Sequence, residues 1–244
     1  MALVVQKFGG TSVATAARLR AVAEIIARSV RCGDRVVAVL SAQGKTTDRL
    51  VRQALELSPA PCARELDLLL SSGEQMSVAL CAMALSELGI PAVSLTGWQA
   101  GLLTDSRHGD AHTLALCSDR IARELSQGKV VLVAGFQGID AHGDITTLGR
   151  GGSDTTAVAL SVFLHADKCQ IFTDVDGVYT DDPRKNPDAV RLDVLSYDRM
   201  LSMARSGAKV LHERCVALAK QHNVEIEVRS SFTEGGGTRV CATE

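Results

Sequence analysis

The chain has 244 residues, 46% of them hydrophobic, and 26 Lys and Arg against 28 Asp and Glu give a formal net charge of −2. That length can bury a full core as one large α/β domain or a domain with a lobe, and the balanced charge implies no basic face, which argues against nucleic acid. Seven cysteines, none in a CxxC pair, read as buried free thiols in a reducing cytoplasm, and the N-terminal residues show neither a signal peptide nor a transmembrane run.

Residues 3–6 read as a short buried strand, followed by the loop Lys7-Phe8-Gly9-Gly10-Thr11-Ser12. A helix comes next, with Leu19, Val22, Ala23, Ile26 and Val30 at helical spacing and Arg18, Arg20, Glu24 and Arg28 opposite. Strand, glycine loop and helix start together suggest a phosphate cradle, with Lys7 pointing toward it from the strand end. Residues 35–40 form a continuous apolar run, a strand buried on both faces. The hydroxyl-rich residues 41–48 make the next loop. Gly44-Lys45-Thr46 mimics the end of a Walker A loop, but Val39 holds the first glycine's place.

The stretch from 58 to 61 breaks the chain at two prolines. A long helical region then runs from about residue 62 to 88, interrupted at Ser71-Ser72-Gly73-Glu74-Gln75. A Glu beside a glycine break in an apolar helix is a candidate for a ligand's ammonium group, although a solvated Glu is the ordinary alternative. Residues 92–95 read as a strand, 97–112 as a loop that covers a site, 114–125 as a helix and 129–134 as another buried strand ending in Gly135-Phe136-Gln137-Gly138.

Polar turn residues 140–144 precede the central stretch Thr146-Thr147-Leu148-Gly149-Arg150-Gly151-Gly152-Ser153-Asp154-Thr155-Thr156. It opens into a helix that is apolar nearly all round and so buried. The glycines let backbone approach a ligand, and Arg150 offers a planar fork for carboxylate or phosphate. Ser153, Asp154 and Thr155 fall where the helix's free N–H groups emerge, which favours an anion; Asp154 alone could be no more than an N-cap. Gly149 and Gly151 begin a dinucleotide fingerprint, but Asp154 holds the third glycine's place.

Residues 169–173 read as a strand, and 174–184 as a nucleotide loop with Tyr179 as a flat surface and Arg184 as a phosphate or ribose contact. The spacing and closing Glu of an EF-hand are absent there. Two helices follow, one from Ser196 to Gly207 and one carrying Leu211, Cys215, Leu218 and Ala219 on one face. Residues 224–228 are the last clear strand, and 229–244 leave room for a short strand and a tail. Strands that alternate with helices and are continuously apolar imply a mostly parallel sheet covered on both faces, with ligands beyond its carboxyl ends. Lys7, Ser41, Gly135, Thr173 and Asp174 all follow strands and can converge there.

Taken together, these motifs resemble the aspartate kinases of the amino-acid kinase family. The matching pieces are residues 5–12, 41–48, 72–75, 133–138, 147–156, 173–184 and 207–212, in family order across nearly the whole chain. The resemblance implies a three-layer αβα sandwich, a single catalytic domain over 1–244. Its N-terminal part would mainly bind aspartate, and its part from about 170 mainly ATP. It implies transfer of the γ-phosphoryl group of ATP to the β-carboxylate of L-aspartate, giving 4-phospho-L-aspartate on the way to lysine, threonine, methionine and diaminopimelate.

By the same resemblance Lys7 stabilises the transferring group, and Gly9 and Gly10 donate backbone N–H groups. Asp154 orients the lysines. Arg150 holds a substrate carboxylate with Gly151, Gly152, Ser153 and Ser41 beside it, and Glu74 pairs with the α-ammonium near Thr47. Thr173, Asp174, Tyr179, Arg184, Lys209 and Val210 hold ATP, and Mg2+ rides on the phosphates with few direct protein ligands. Partners reduce to L-aspartate and ATP, with a homodimer left open. The family usually continues into two ACT domains, which residues 229–244 are too short to form. Acetylglutamate, glutamate and uridylate kinases share the fold, and a non-catalytic ligand sensor on it is the alternative of another class.

Overall fold

The computed structural model describes residues 1–183, 185–186, 188–207 and 210–243. The first half runs β1 (Leu3–Phe8), α1 (Ala16–Arg31), β2 (Arg35–Leu40), α2 (Thr46–Leu57), α3 (Ala63–Glu87), β3 (Ala92–Leu95), β4 (Leu102–Thr104), β5 (Thr113–Leu116) and α4 (Asp119–Ser126). Then come β6 (Val130–Ala134), β7 (Gln137–Ile139), β8 (Ile145–Thr147), α5 (Gly152–Phe163), β9 (Lys168–Thr173), β10 (Val178–Tyr179), β11 (Arg191–Leu192) and β12 (Val194–Ser196). The chain closes with α6 (Tyr197–Arg205), α7 (Glu213–His222), β13 (Ile226–Ser230) and β14 (Thr238–Cys241).

The apolar runs build one sheet of order β12-β14-β13-β9-β1-β2-β6-β3. Its neighbours are parallel except β13 and β14. Because side chains alternate along a strand, the sheet has two apolar faces. Val5, Val37, Val39, Val133 and Ile171 face a core shared with Leu160 of α5 and Cys215 of α7. Phe8, Val36, Ala38, Leu40 and Leu132 face a second core with Ile26 of α1 and Leu85 of α3. Helices therefore cover both faces, the expected three layers. On the α1 side beyond β1 the face turns polar. Gln6 donates to Gln170 at 3.0 Å, and Gln170 donates to Glu227 at 2.6 Å.

β1 lies between β2 and β9, so the strand order switches direction there, and a crevice opens beyond its carboxyl end. A small sheet of order β5-β4-β7-β8 flanks that crevice.

Three expectations change. The region 62–88 holds one unbroken helix, α3. Ser71 and Ser72 donate their hydroxyls to Leu68 O and Leu69 O within it, at 2.8 and 2.7 Å. Gly73 is there for close approach, since a Cβ would lie 2.8 Å from Ala42 Cβ. Helix α3 is also long and apolar enough to cross a membrane by length and composition. It nevertheless packs as a core helix, with Leu70, Val78, Cys81 and Leu85 buried beside Asp67 and Glu74. Residues 114–125 divide into β5 and α4, because β5 pairs antiparallel with β4. Finally, β1 runs to Phe8, so Lys7 and Phe8 lie on the strand and not in the loop after it. Gly9 and Gly10 follow β1 in the expected turn, and α1 starts at Ala16 with Thr15 as N-cap.

Candidate active site

The crevice is built where strand ends meet the first turn of α5. Lys7 lies on the α5 side of β1 with Val5, and its Nζ is 2.6 Å from Asp154 Oδ1. Both side chains are nearly buried, at 11% and 12% exposure. Asp154 is in the first turn of α5, whose N-cap Gly151 has left-handed φ of 70°. A side chain at Gly151 would collide with His212, 2.3 Å from its Cβ, so α7 closes this end of the site. A Cβ at Gly135, at the end of β6, would lie 2.8 Å from Ser153 Oγ. Glycine thus lets two elements, α7 and β6, approach the start of α5. The other side of β1 is fixed by Phe8, stacked on Phe172 with centroids 4.8 Å apart.

Glu74 enters from α3. It is 3% exposed, and its Oε1 accepts from Ala42 N at 3.0 Å. Among the described residues its Oε2 is buried with no hydrogen-bond partner. Burial pushes this carboxyl up to about 7, against the backbone bond from Ala42 that favours its charged form. Such a carboxylate lacks a cation. It borders the glycine turn through Ala42, whose carbonyl oxygen would lie 2.8 Å from a Cβ on Gly10.

Arg150 stands between Gly149, at φ 70°, and Gly151. It is exposed, unlike the buried helix it precedes, and no acidic partner is found for it among the described residues. Its guanidinium is thus available to an incoming anion.

A family model described as the amino acid kinase family matches residues 2–230. The chain belongs to the amino acid kinase family. It is 54% identical over 240 residues to the aspartokinase of Geobacillus stearothermophilus. It is 52% identical over 244 residues to the aspartate kinase of Pseudomonas putida. These matches cover 98% and 100% of this chain, which spans 59% of the length of each relative. Aspartate kinase from Synechocystis superposes with a TM-score of 0.88 at 50% identity, covering 99% of this chain and 40% of that one. Escherichia coli aspartokinase III in complex with aspartate and ADP superposes with a TM-score of 0.88 at 31% identity, covering 99% and 65%. A UMP kinase from Bacillus anthracis, at 18% identity and a TM-score of 0.73, shares the fold alone.

In this amino acid kinase chain the other expected site residues lie as follows. Ser41 ends β2 and donates its N–H to Phe8 O at 3.1 Å. Thr47 is in the first turn of α2, and the methyl of its neighbour Thr46 would meet a Cβ on Gly73 at 3.5 Å. Gly9 N–H already reaches Phe172 O at 3.3 Å, so a phosphate would compete for that donor. Thr173 ends β9 and donates to Asp174 Oδ1 at 3.1 Å. Tyr179 is tied to Asp176 Oδ1 at 2.8 Å, which orients its ring. Val210 is half-buried after α6. Arg184 and Lys209 fall outside the described residues.

The cysteine expectation holds for Cys81, Cys169 and Cys215, but Cys32, Cys62 and Cys117 are exposed. Their helical and loop positions simply face outward. His108, Asp140 and Asp144 bring possible metal-binding atoms within 4.8 Å of one another. Those groups are already engaged, Asp144 by Arg64 at 2.7 Å and His108 by Asp67 at 2.9 Å.

Residues the sequence reading passed over tie the site together. Asp67 and Arg214 hold the loop before Arg150, and Thr238 holds the loop after β9 that carries Tyr179. Asp67 does leave a trace, as the lone carboxylate in the apolar run 66–70, seven residues before Glu74.

Proposed function

We propose that this chain is the catalytic unit of an aspartate kinase, transferring the γ-phosphoryl group of ATP to the β-carboxylate of L-aspartate. The observation that carries the reading is Glu74, a buried carboxylate with one oxygen lacking a partner. An acylated amine or a nucleoside would leave that oxygen unsatisfied, whereas a free α-ammonium supplies both charge and donors. The relatives named aspartokinase, and the E. coli structure with aspartate and ADP, support the same substrates. The N-terminal part would mainly serve aspartate, and the part from about residue 170 mainly ATP.

The nucleophile needs no base, since a free β-carboxylate with a reference pKa of about 3.9 is ionised near neutrality. The reaction needs alignment and neutralisation of charge on the transferring group. Lys7 supplies a fixed positive charge, which Asp154 aims. The first turn of α5 adds free N–H groups. Arg150 takes a carboxylate of the substrate and Glu74 its ammonium, so two opposite charges set its direction. Bound Mg2+ would supply neutralisation of the phosphate charge. Asp154 is engaged by Lys7, and the open oxygen of Glu74 is assigned to the ammonium, which fits a metal carried on the phosphates.

Coupled ADP release tests this with L-aspartate, L-glutamate, N-acetyl-L-glutamate and UMP as acceptors. Turnover with aspartate well above the others is expected. Preference for N-acetylglutamate or UMP would overturn the substrate assignment, and nucleotide binding without turnover of any acceptor would favour a sensor.

A further inference from the structure

Asp67 is a buried carboxylate outside the set that meets the substrates. It is 1% exposed and has no Lys or Arg partner among the described residues. Two turns of α3 before Glu74, it lies on the same helix face. Its oxygens accept from Thr147 N at 3.1 Å and Thr147 Oγ1 at 2.6 Å. They also accept from Gly109 N at 3.0 and 3.1 Å. His108 Nδ1 lies 2.9 Å from Oδ2, and since a carboxylate only accepts, that nitrogen carries the proton.

Asp67 thus fastens two segments to the helix that carries Glu74. One is the turn at 108–110; the other is the end of β8, three residues before Arg150. The segments also join each other, because Ala111 N donates to Thr147 O at 2.9 Å. From the far side Arg214 of α7 donates to Leu148 O at 2.7 Å and to Asp110 Oδ1 at 2.5 Å. The backbone leading to Arg150 is therefore gripped at Thr147 from α3 and at Leu148 from α7. A side chain at Gly149 would meet Asp110 Oδ1 at 2.9 Å, so the grip is close.

We infer that Asp67 is a positioning residue for amino-acid recognition: it fixes the distance between the ammonium site on α3 and the carboxylate-reading Arg150. The inference rests on the aspartate reading above. Because it touches no reacting atom, losing it should loosen substrate binding without changing the chemical step. A ground-state loss of this kind raises KM and leaves kcat.

The test is Asp67→Asn in the full chain, followed by steady-state kinetics and by amide hydrogen exchange. The amide keeps the side chain's shape but turns one acceptor into a donor that faces other donors. Removing one such charge-assisted bond predicts a KM for aspartate raised about tenfold or more. Values of kcat and KM for ATP should stay within about twofold, and the amides of Gly109 and Thr147 should lose protection. Lost protection with unchanged KM for aspartate would overturn the inference, as would an equal loss for ATP. Should Asp67→Asn fail to fold, Thr147→Val, which removes only the hydroxyl bond, is judged by the same criteria. If the parent does not phosphorylate aspartate, the substrate reading falls by itself. Exchange then decides this inference: protection lost only around 105–111 and 147–151 sustains it, and unchanged or chain-wide exchange overturns it.

Discussion

Lys7 and Glu74 are both charged groups held inside the protein, and they are satisfied in opposite ways. Lys7 has its counter-ion in Asp154. Removing one member of such a pair leaves the other charge buried and costs about 3–5 kcal/mol. Lys7→Met should therefore lower stability as well as kcat, the latter on the order of 100-fold or more and beyond any rise in KM for ATP. Adding Asp154→Asn should restore the melting temperature but not the rate, which separates folding from catalysis. A single variant with kcat within about threefold of the parent would remove Lys7 from the chemistry. Glu74 instead lacks a cation, and burial raises its carboxyl from 4.5 to about 7. Between those values the folded chain holds a proton that the unfolded chain has released, so stability falls as pH rises through that window and levels off above it. Glu74→Gln avoids the buried charge. At pH 8 the variant should be the more stable, by ~3 kcal/mol at most, with the advantage gone near pH 4. It should lose aspartate binding by calorimetry while keeping ATP. The parent's affinity for aspartate should likewise fall as pH drops below about 7, since the ammonium needs the charged form. A variant no more stable than the parent at pH 8 would mean that the carboxylate already has a partner when ligand-free.

At the scale of elements, Gly73 shows how packing overrides propensity. Alanine in a helix interior is favoured over glycine by about 1 kcal/mol. Here, however, the new Cβ would sit 2.8 Å from Ala42 Cβ, and neither atom has a rotamer by which to escape. Overpacking of this kind costs about 1–3 kcal/mol, so Gly73→Ala should lower the melting temperature. It should also raise KM for aspartate, because Ala42 N holds Glu74. Ala42→Gly in the same chain should recover both. A single variant at or above the parent's melting temperature would show that α3 and the loop after β2 separate freely. The same pair explains part of what the sequence hid. Gly73 between polar residues has the signature of a break, and only the neighbour from another element shows that it is a contact. Strands β1, β2 and β6 were legible because both faces are buried and apolar residues run together in each. The strands of the small sheet run to only three or four residues each, too short to show alternation. Leu114 and Leu116 therefore passed as the start of a helix. Within the site, glycines and charged residues beside them stood out. Asp67, Arg214 and Thr238 did not, because their partners lie 80, 66 and 60 positions away.

For the whole molecule, the proposed division between aspartate and ATP falls on either side of β1. Glu74, Ser41 and the Arg150 loop meet on the side of β2, β6 and the small sheet. Thr173, Asp174 and Tyr179 lie on the side of β9, β13 and β14. That second half is pinned by β14, which lies beyond the stretch 2–230 matched by the family. Thr238 is fully buried. Its hydroxyl accepts from Val178 N at 2.7 Å and donates to Leu192 O at 2.5 Å. It thus joins the loop that carries Tyr179 to β11, and Arg191 reinforces the joint by reaching Asp176 at 3.5 Å. Thr238→Val keeps the shape and removes both bonds, leaving a buried N–H and a buried carbonyl unpaired at about 1–3 kcal/mol each. The loop carrying Tyr179 should then loosen while the Glu74 side stays intact. KM for ATP should rise about tenfold, with KM for aspartate unchanged, the mirror image of Asp67→Asn. With the two substitutions separated by the sheet and sharing no partner, their effects should add in the double variant. Titration of each substrate against each variant measures this directly. If Thr238→Val weakened aspartate as much as ATP, the two halves would be one cooperative unit, and the division of ligands across β1 would have to be abandoned.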